Sequence, residues 1–470
     1  MNAASTKKPP LLGVTVLGDF ILSEGVELVL ANLVNIGATA VAVNPTVTVP
    51  GDETSGNWQP PRDAGHSPRT FDRPLFGQGA LWLRSGPSYE PRQEFYADST
   101  YRPRKTNELT AEHGPQIGRF IDAAADAGID VYLQIGAVQP TGLRAEDKPR
   151  LPDGSLPANR VANTASLAST AVQAYNEAYV RDLLAEYPRL HGFRIDWPEY
   201  PCYTFDEVFQ DFSPQVAAWA EQQALEQQPI DFEKARSAAA GLQRFLLEEI
   251  VNEDLEQLLA VPRNTLGAVW EARFPGLLGW LDLKRRLSLA TLTHWRTIIK
   301  RHGGDSCRLS AHAFMPAFTT LTGFDFDAAS DLCDSISPKL YTMHWMLMIQ
   351  LWGKRILESR PELDDALLTA ALLRLLGLEE AQHAGKRLAD FAYPEPHEPH
   401  AIGDAVQIAR IEETVAAAAG RAPIYPLVHG YGPLDDFQRR FDLVKQTGAS
   451  GAWLNRYGYL SDAKLDVIRR

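Results

Sequence analysis

The chain has 470 residues, of which 45% are hydrophobic and 22% charged, the composition of an ordinary globular protein with a large core. Its 59 acidic and 46 basic residues give a net charge of −13, which repels phosphate backbones and argues against a nucleic-acid partner. No run of 18 apolar residues occurs, so we expect no membrane span. Three scattered cysteines and an N-terminal segment without the apolar core of a signal peptide predict a cytoplasmic location.

Short apolar runs alternate with helical patterns along the chain, which predicts βα units and a parallel sheet. The first predicted strand is "LLGVTVLGDF" at 11–20, and a helical pattern connects it to a second at 39–49. Further predicted strands lie at 129–138, 190–196, 306–314, 335–343, 422–430 and 450–458. Eight such repeats predict an α/β fold of the (β/α)8 TIM-barrel class. An open doubly wound sheet is the alternative, but no GxGxxG motif follows the first strand.

Three stretches interrupt the repeat. Residues 50–110 are rich in Pro, Gly and aromatics and have no period, which predicts an irregular loop over the site. Residues 204–300 and 345–420 are predicted to be helical insertions. Barrel enzymes keep their sites at the C-terminal face, so we expect all three on that face of a single catalytic barrel spanning 1–470. The helical insertions could also form the interface of a homo-oligomer, a possibility that the sequence leaves open.

The fourth predicted strand ends in charged residues. Side chains of a strand alternate between its two faces, so Phe193 and Ile195 would face the surrounding helices while Arg194 and Asp196 point inward. Asp196 then lies at the top of the strand, and Arg194 one layer below would keep its carboxylate ionised and oriented. The alternative interpretation is a buried structural ion pair.

Polar side chains also lie at the ends of nearly all the remaining predicted strands, although a barrel core should be aliphatic. Any one of the histidines alone is more typical of a hydrogen-bonded core residue, so the prediction rests on their convergence. The candidates for stacking on a sugar ring are Trp82, Trp197, Tyr200 and Tyr431. We predict that the converging side chains bind substrate: Asp19, Asn44, Gln134, Arg194, Trp197, His312, Lys339, Tyr341, His344, His429, Tyr431, Asn455 and Arg456.

The segment "HGFRIDWPEYP" at 191–201 resembles the fourth strand of glycosidase barrels. Its GFRID is similar to the GFRxD of the alpha-amylase family, in which the Asp, here Asp196, is the nucleophile. Its WPEYP resembles the DGxDxDWEYP of chitinase-type enzymes, in which the last Glu is the acid. The sequence departs from both patterns, because His312 replaces the amylase Glu after strand five and Pro198 shifts Glu199 out of the chitinase register. The resemblance therefore extends to the glycoside-hydrolase-like superfamily and to no particular family within it.

The resemblance implies glycosidic bond cleavage, which needs an acid to protonate the leaving oxygen and a second carboxylate as nucleophile or base. We predict that Asp196 and Glu199 form this catalytic pair, with no cofactor and no metal. Asp196 beside Arg194 would stay ionised, whereas burial among Trp197 and Tyr200 would raise the pKa of Glu199. The alternative for Glu199 is a salt bridge to a loop arginine.

We expect the protein to act in carbohydrate metabolism in the cytoplasm, but two other functions stay open. Asp196, His312, His344 and His429 form a usable ligand set for a divalent ion in a metal-dependent hydrolase, sugar isomerase or lyase, although no HxH motif is present. The second is a carbohydrate-binding barrel without catalysis, against which the retention of both carboxylates counts.

Overall fold

The computed structural model describes residues 10–62, 69–225 and 229–470, without the side chains of residues 224 and 225. Predictions that fall on 1–9, 63–68 and 226–228 therefore lie outside the described residues. The strands, in chain order, are β1 (Leu11–Thr15), β2 (Ala40–Val43), β3 (Thr46–Pro50), β4 (Asn57–Gln59), β5 (Leu81–Pro87), β6 (Asp130–Gly136), β7 (Gly192–Asp196), β8 (Arg308–Ala313), β9 (Ser335–Leu340), β10 (Leu427–His429) and β11 (Gly451–Asn455).

Eight of these strands form a closed parallel barrel, which confirms the predicted fold class. The barrel strands β1, β2 and β6 to β11 follow one another around the barrel in chain order. Closure comes from β11, which pairs with β1 so that Leu11 lies opposite Gly451 and Gly13 opposite Trp453. All carboxyl ends of the barrel strands therefore meet at one face.

The helices of the described residues cover the barrel and build its insertions. Several begin at short polar side chains that accept a backbone N–H of the first turn, as Ser169 does from Val172 at 3.2 Å. They are α1 (Gly18–Glu24), α2 (Val26–Asn35), α3 (Glu108–Asp126), α4 (Thr170–Glu186), α5 (Phe205–Val208), α6 (Pro214–Leu225), α7 (Phe232–Arg244), α8 (Asn252–Ala260), α9 (Leu266–Arg273), α10 (Leu277–Gly303), α11 (Thr319–Thr322), α12 (Phe326–Ala329), α13 (Thr342–Ser359), α14 (Asp365–Leu376), α15 (Asp404–Ala418), α16 (Leu434–Lys445) and α17 (Asp462–Arg469).

The first two predicted strands are too long. The predicted strand 11–20 ends at Thr15, and Asp19 lies in the first turn of α1 instead of on the strand. The predicted strand 39–49 divides at Pro45, whose missing N–H cannot donate to a ladder, so β2 stays in the barrel and β3 leaves it. The Asn44 side chain fastens this branch point, because its Oδ1 accepts the Gly18 N–H at 2.9 Å.

The sequence predicted an irregular loop over residues 50–110, but part of this segment is regular. Residues 57–59 and 81–87 are strands, and they form an antiparallel sheet with β3 in the order β3-β5-β4. The short strands escaped detection because few apolar residues alternate in them, yet Trp58 and Trp82 face each other with ring centroids 5.4 Å apart. This sheet follows directly from β2, so it lies beside the carboxyl end of the barrel.

Two groups of helices extend from the same end of the barrel. Helices α5 to α10 connect β7 to β8, and helices α13 to α15 connect β9 to β10. The groups pack on each other, with α8 against α14 and α13 against the segment 245–249. None of the helices within the described residues is both long and apolar enough to cross a bilayer.

Close contact between neighbouring barrel strands explains Gly192 at the start of β7. Any Cβ at this position would lie 2.1 Å from the carbonyl oxygen of Arg308, its partner in register on β8. Since that oxygen belongs to the strand backbone, it cannot move without disturbing the ladder.

We therefore expect Gly192→Ala to lower the free energy of unfolding by about 1–3 kcal/mol, the usual effect of overpacking a core. Urea unfolding followed by circular dichroism measures this change. Gly279→Ala is the matched control, because a Cβ on this exposed helical glycine meets nothing within 4 Å. Helix propensity predicts that the control raises stability by about 0.5–1 kcal/mol. Equal effects of the two variants would contradict the argument.

Candidate active site

Asp196 ends β7 at the carboxyl face of the barrel, with 22% of its side chain exposed. Its Oδ1 lies 2.6 Å from Nζ of Lys339 and 3.8 Å from Nδ1 of His312, and it accepts the Trp197 N–H at 3.1 Å. Register explains the grouping, because Asp196 lies opposite His312 on β8 and His312 lies opposite Ser337 on β9. A partly exposed carboxylate is thus held among basic side chains that are themselves buried.

The chain turns sharply after Asp196. Trp197 adopts φ of +53°, in the left-handed region that few non-glycine residues occupy. Its ring lies under the Lys339 ammonium, with Nζ 4.8 Å from the ring centroid, and Phe314 lies 5.0 Å from Nζ in a similar way. The two rings cover the lysine and hold its ammonium against the carboxylate.

The predicted ion pair between Arg194 and Asp196 is not the contact observed. The Arg194 guanidinium lies 3.4 Å from the ring centroid of Trp453, and its Nη1 donates to Ser337 Oγ at 3.4 Å. Inward side chains on one strand are separated by two residues, about 6.6 Å, so the arginine occupies the layer below the carboxylate. Lys339 instead supplies the positive charge beside Asp196.

Several buried nitrogen atoms in this group have no hydrogen-bond partner within the described part of the chain. Among them are Nε and Nη2 of Arg194, which are donors, and the two ring nitrogens of His312, in side chains that are 0% and 1% exposed. Burial lowers the pKa of His312 well below its usual range, helped by the charges of Arg194 and Lys339, so its imidazole is neutral. Burial also lowers the pKa of Arg194 to about 9. Because buried polar groups normally have partners, the group has unused capacity for hydroxyl groups or ordered water.

Glu199 lies under the loop that follows β8. It is 0% exposed, one carboxylate oxygen accepts the Phe314 N–H at 2.6 Å, and the other accepts the Thr322 hydroxyl. Burial raises the pKa of Glu199 to about 7, against the lowering effect of Lys339 and these hydrogen bonds. The raised pKa agrees with the expectation from the sequence, whereas the full burial separates this carboxyl from the open part of the barrel mouth.

Aromatic rings line the side of the mouth formed by β9 and β10. The His429 ring lies 4.9 Å from Tyr341 and 5.2 Å from Tyr459, and its Nδ1 accepts the Tyr431 N–H at 3.1 Å. His344 lies in the first turn of α13, 5.5 Å from the Tyr341 ring. Tyr431 is 1% exposed, so its ring is packed in this wall.

A polar pocket of about 220 Å³ opens between the barrel mouth and the small antiparallel sheet. Asp19 lines it and is 5% exposed, with Oδ1 accepting the Phe20 N–H at 2.9 Å. Burial raises the pKa of Asp19 to about 6, opposed by the charge of Arg456. Three predicted residues share the pocket with polar residues that the sequence analysis missed: Asp19, Asn44 and Arg456 with Thr46, Thr48, Asn57, Gln59 and Ser85.

The missed residues had one usable signal. In "TVTVP" at 46–50 polar and apolar side chains alternate, which places Thr46 and Thr48 on one face of a strand. Asn57, Gln59 and Ser85 gave no comparable signal, because their place in the pocket depends on how β4 and β5 pair.

The predicted site residues thus form three groups and two separate positions. Gln134 lies deeper, where its Oε1 accepts the Thr15 hydroxyl at 3.3 Å, and Asn455 pairs in register with His429 at the end of β11. The groups are the Asp196 cluster (Arg194, Asp196, Trp197, His312, Lys339 and Glu199), the aromatic wall (Tyr341, His344, His429 and Tyr431) and the polar pocket (Asp19, Asn44 and Arg456).

The ligand set of the metal alternative does not come together. Among the described residues no group of three or more His, Cys, Asp or Glu is placed to hold a metal ion. Asp196 contacts the Lys339 ammonium, a positive group in the place where a metal would bind, and His344 and His429 belong to the aromatic wall. These residues do not fit a shared metal site.

No protein-family model and no curated protein matches this chain. Among solved structures, the β-galactosidase of the Antarctic haloarchaeon Halorubrum lacusprofundi gives a TM-score of 0.52 at 10% identity, covering 98% of this chain and 57% of that one. The β-galactosidase of Marinomonas ef1 gives 0.49 at 12% identity, covering 95% and 54%. The catalytic domain of the Paenibacillus polymyxa β-amylase gives 0.46 at 9%, covering 97% and 94%.

The chain therefore spans a little over half the length of both β-galactosidases. At such low identity the likeness concerns the fold. The resemblance to glycoside-hydrolase-like barrels that the strand-four segment indicated is confirmed at that level.

The raised pKa of Glu199 has a consequence for stability. The ordinary value is 4.5 and the folded value about 7, so the folded state binds the proton more tightly than the unfolded chain. This contribution favours folding at low pH and is lost as the pH rises from about 4.5 through about 7.

The Glu199→Gln variant keeps the shape of the side chain, but its amide does not titrate. We therefore expect its free energy of unfolding to increase relative to that of the unmodified protein as the pH rises. The difference in unfolding free energy should shift by up to about 3 kcal/mol between pH 5 and pH 8. Urea unfolding at both pH values measures it. A difference that is independent of pH would contradict a proton-binding, buried Glu199.

Proposed function

We propose that this chain is a glycoside hydrolase-like enzyme that cleaves a glycosidic bond of a carbohydrate at the carboxyl face of its barrel. The observation that carries the proposal is the Asp196 cluster: a partly exposed carboxylate, fixed by Lys339, with unpartnered donors of His312 and Arg194 beneath it. A sugar offers many hydroxyl groups, which are the partners that such donors need. The barrel fold, shared with glycoside hydrolases, adds support.

In the proposed reaction Asp196 acts on the anomeric carbon, either directly as nucleophile or as the base that activates a water. The bond between this carbon and the glycosidic oxygen breaks, and the leaving oxygen takes a proton from an acid. Water supplies the hydroxyl of the released sugar and gives its other proton to the carboxylate that acts as base; on the nucleophile route this water also breaks the ester formed to Asp196. The Lys339 ammonium, 2.6 Å from Oδ1, orients the carboxylate. Neutral His312 both donates and accepts, so it suits the binding of a sugar hydroxyl.

Glu199 is the proposed acid, and its pKa of about 7 suits proton donation near neutral pH. Its complete burial requires the loop after β8, which carries Phe314 and Thr322, to move when substrate binds. Asp19 is the competing acid, because its pKa of about 6 is also raised and it lines the polar pocket. The pocket, rich in hydroxyl and amide groups, is the proposed binding place of one sugar ring.

We expect Asp196→Asn to fold normally and to lose at least about 10³-fold in kcat/KM, because it keeps the shape and removes the reacting charge. Initial rates on a panel of nitrophenyl glycosides measure this loss, after one active sugar has been found. Asp305→Asn, at a side chain that is 95% exposed, is the matched control and should retain full activity.

Full activity of Asp196→Asn would overturn the role of Asp196. Tight sugar binding by the unmodified protein, with no turnover on any panel member, would favour the non-catalytic carbohydrate-binding barrel. Calorimetric titration with the sugars of the panel separates these two outcomes.

The acid can be identified from leaving groups and pH. A nitrophenolate needs little protonation and an alkoxide needs much, so the variant that lacks the acid should lose far more activity on alkyl than on nitrophenyl glycosides. We expect this pattern, with a loss of about 10²-fold or more on alkyl glycosides, in Glu199→Gln and not in Asp19→Asn.

The pH profile gives an independent test. The acid must be protonated, so kcat/KM on alkyl glycosides should fall above pH of about 7 if Glu199 is the acid and above about 6 if it is Asp19. Two results together would assign the acid to Asp19: a larger loss of activity on alkyl than on nitrophenyl glycosides in Asp19→Asn, and a fall of kcat/KM above pH of about 6.

A further inference from the structure

A second cavity, of about 570 Å³, lies away from the barrel mouth between the two helical insertions. Its walls come from the group α7 to α10 on one side and from α13 and α14 on the other. Apolar side chains form most of the surface, among them Leu255, Trp270, Trp280, Trp352 and Leu372.

An apolar cavity of this size is larger than the voids of ordinary protein interiors. Interiors are packed as densely as organic crystals, and the voids that do occur are small. Walls of this composition offer dispersion contacts to an apolar molecule and few hydrogen-bond partners to water. The volume falls within the range of small-molecule binding sites, about 300–1,000 Å³. The cavity is therefore suited to an apolar ligand.

The mouth of the cavity is polar and includes one arginine and one glutamate. Arg263, Asn264 and Glu413 line it and are exposed. The Arg263 guanidinium packs where a Cβ of Gly377 would lie, at the end of α14, and its charge acts on the neighbouring Arg410. Glu413 is already paired with Arg410, at 2.7 Å. Glu413 is therefore already neutralised, and Arg263 is the one charged side chain of the mouth that has no ion pair among the described residues.

We propose that this cavity binds a long-chain carboxylate, with the acyl chain between the insertions and the carboxylate at Arg263. An elongated hydrocarbon matches the apolar walls, and a single anionic group at its end matches the arginine at the mouth. No residue of the Asp196 cluster lines this cavity, so the proposal does not depend on the glycosidase assignment.

Binding is measured on the full chain, after lipid extraction, with the fluorescent probe 11-(dansylamino)undecanoate displaced by palmitate. We expect a blue-shifted, enhanced probe signal that palmitate abolishes and hexadecanol, which has the same chain without the charge, displaces about fivefold more weakly. Arg263→Gln should lower the affinity for palmitate about fivefold and leave the affinity for hexadecanol unchanged. Arg236→Gln, at an exposed arginine outside the cavity, is the matched control and should bind as the unmodified protein does.

Two filling variants test the location. Ala371→Phe fills the cavity from α14 and Leu258→Trp fills it from α8, so each variant that retains the circular dichroism spectrum should lose probe and palmitate binding. Failure of the probe and palmitate to bind the unmodified protein would overturn the proposal. Unchanged binding in a folded filling variant would also overturn it, and equal displacement by palmitate and hexadecanol would overturn the assignment of a carboxylate.

Discussion

The barrel is closed around the indole ring of Trp453. Gly13, its partner in register on β1, has no side chain because a Cβ would lie 2.3 Å from the ring. The Tyr132 ring meets it edge-on at 5.8 Å, and the Arg194 guanidinium lies on its face at 3.4 Å. The Trp453 ring therefore packs in the lower barrel with Ala40, Ala42, Tyr132 and Leu427, and it keeps a buried arginine in place by a cation–π contact.

That packing determines which positive group contacts Asp196 in the layer above. Because Arg194 is held on Trp453, the carboxylate of Asp196 takes its positive partner from β9, where Lys339 reaches across the mouth to 2.6 Å. Burial sets the protonation of two neighbouring groups, because it keeps His312 neutral and raises the pKa of Glu199 to about 7. The cluster thus contains a fixed carboxylate and one carboxyl group, Glu199, whose pKa lies near neutral pH, a combination that suits acid–base catalysis.

The loops at the carboxyl face build two unlike cavities. The small sheet β3-β5-β4 contributes hydroxyl and amide groups to a polar pocket, whereas the helical insertions enclose an apolar one. One short segment touches both the Asp196 cluster and the apolar cavity: Leu321 lines the cavity, and the adjacent Thr322 donates to Glu199. Movement of this segment would therefore affect the carboxyl group and the wall of the cavity together.

The sequence by itself determined the eight-stranded barrel and the place of Asp196, since apolar runs between helical patterns and the alternation in GFRID are local properties of the chain. It also indicated that Glu199 would be buried with a raised pKa. Only the tertiary structure decided that Lys339, and not Arg194, contacts Asp196, because side chains from different strands meet according to register and to what fills the layer below. The same holds for the polar pocket, whose Asn57, Gln59 and Ser85 come together through pairing of β4 and β5, a long-range contact that no local pattern contains.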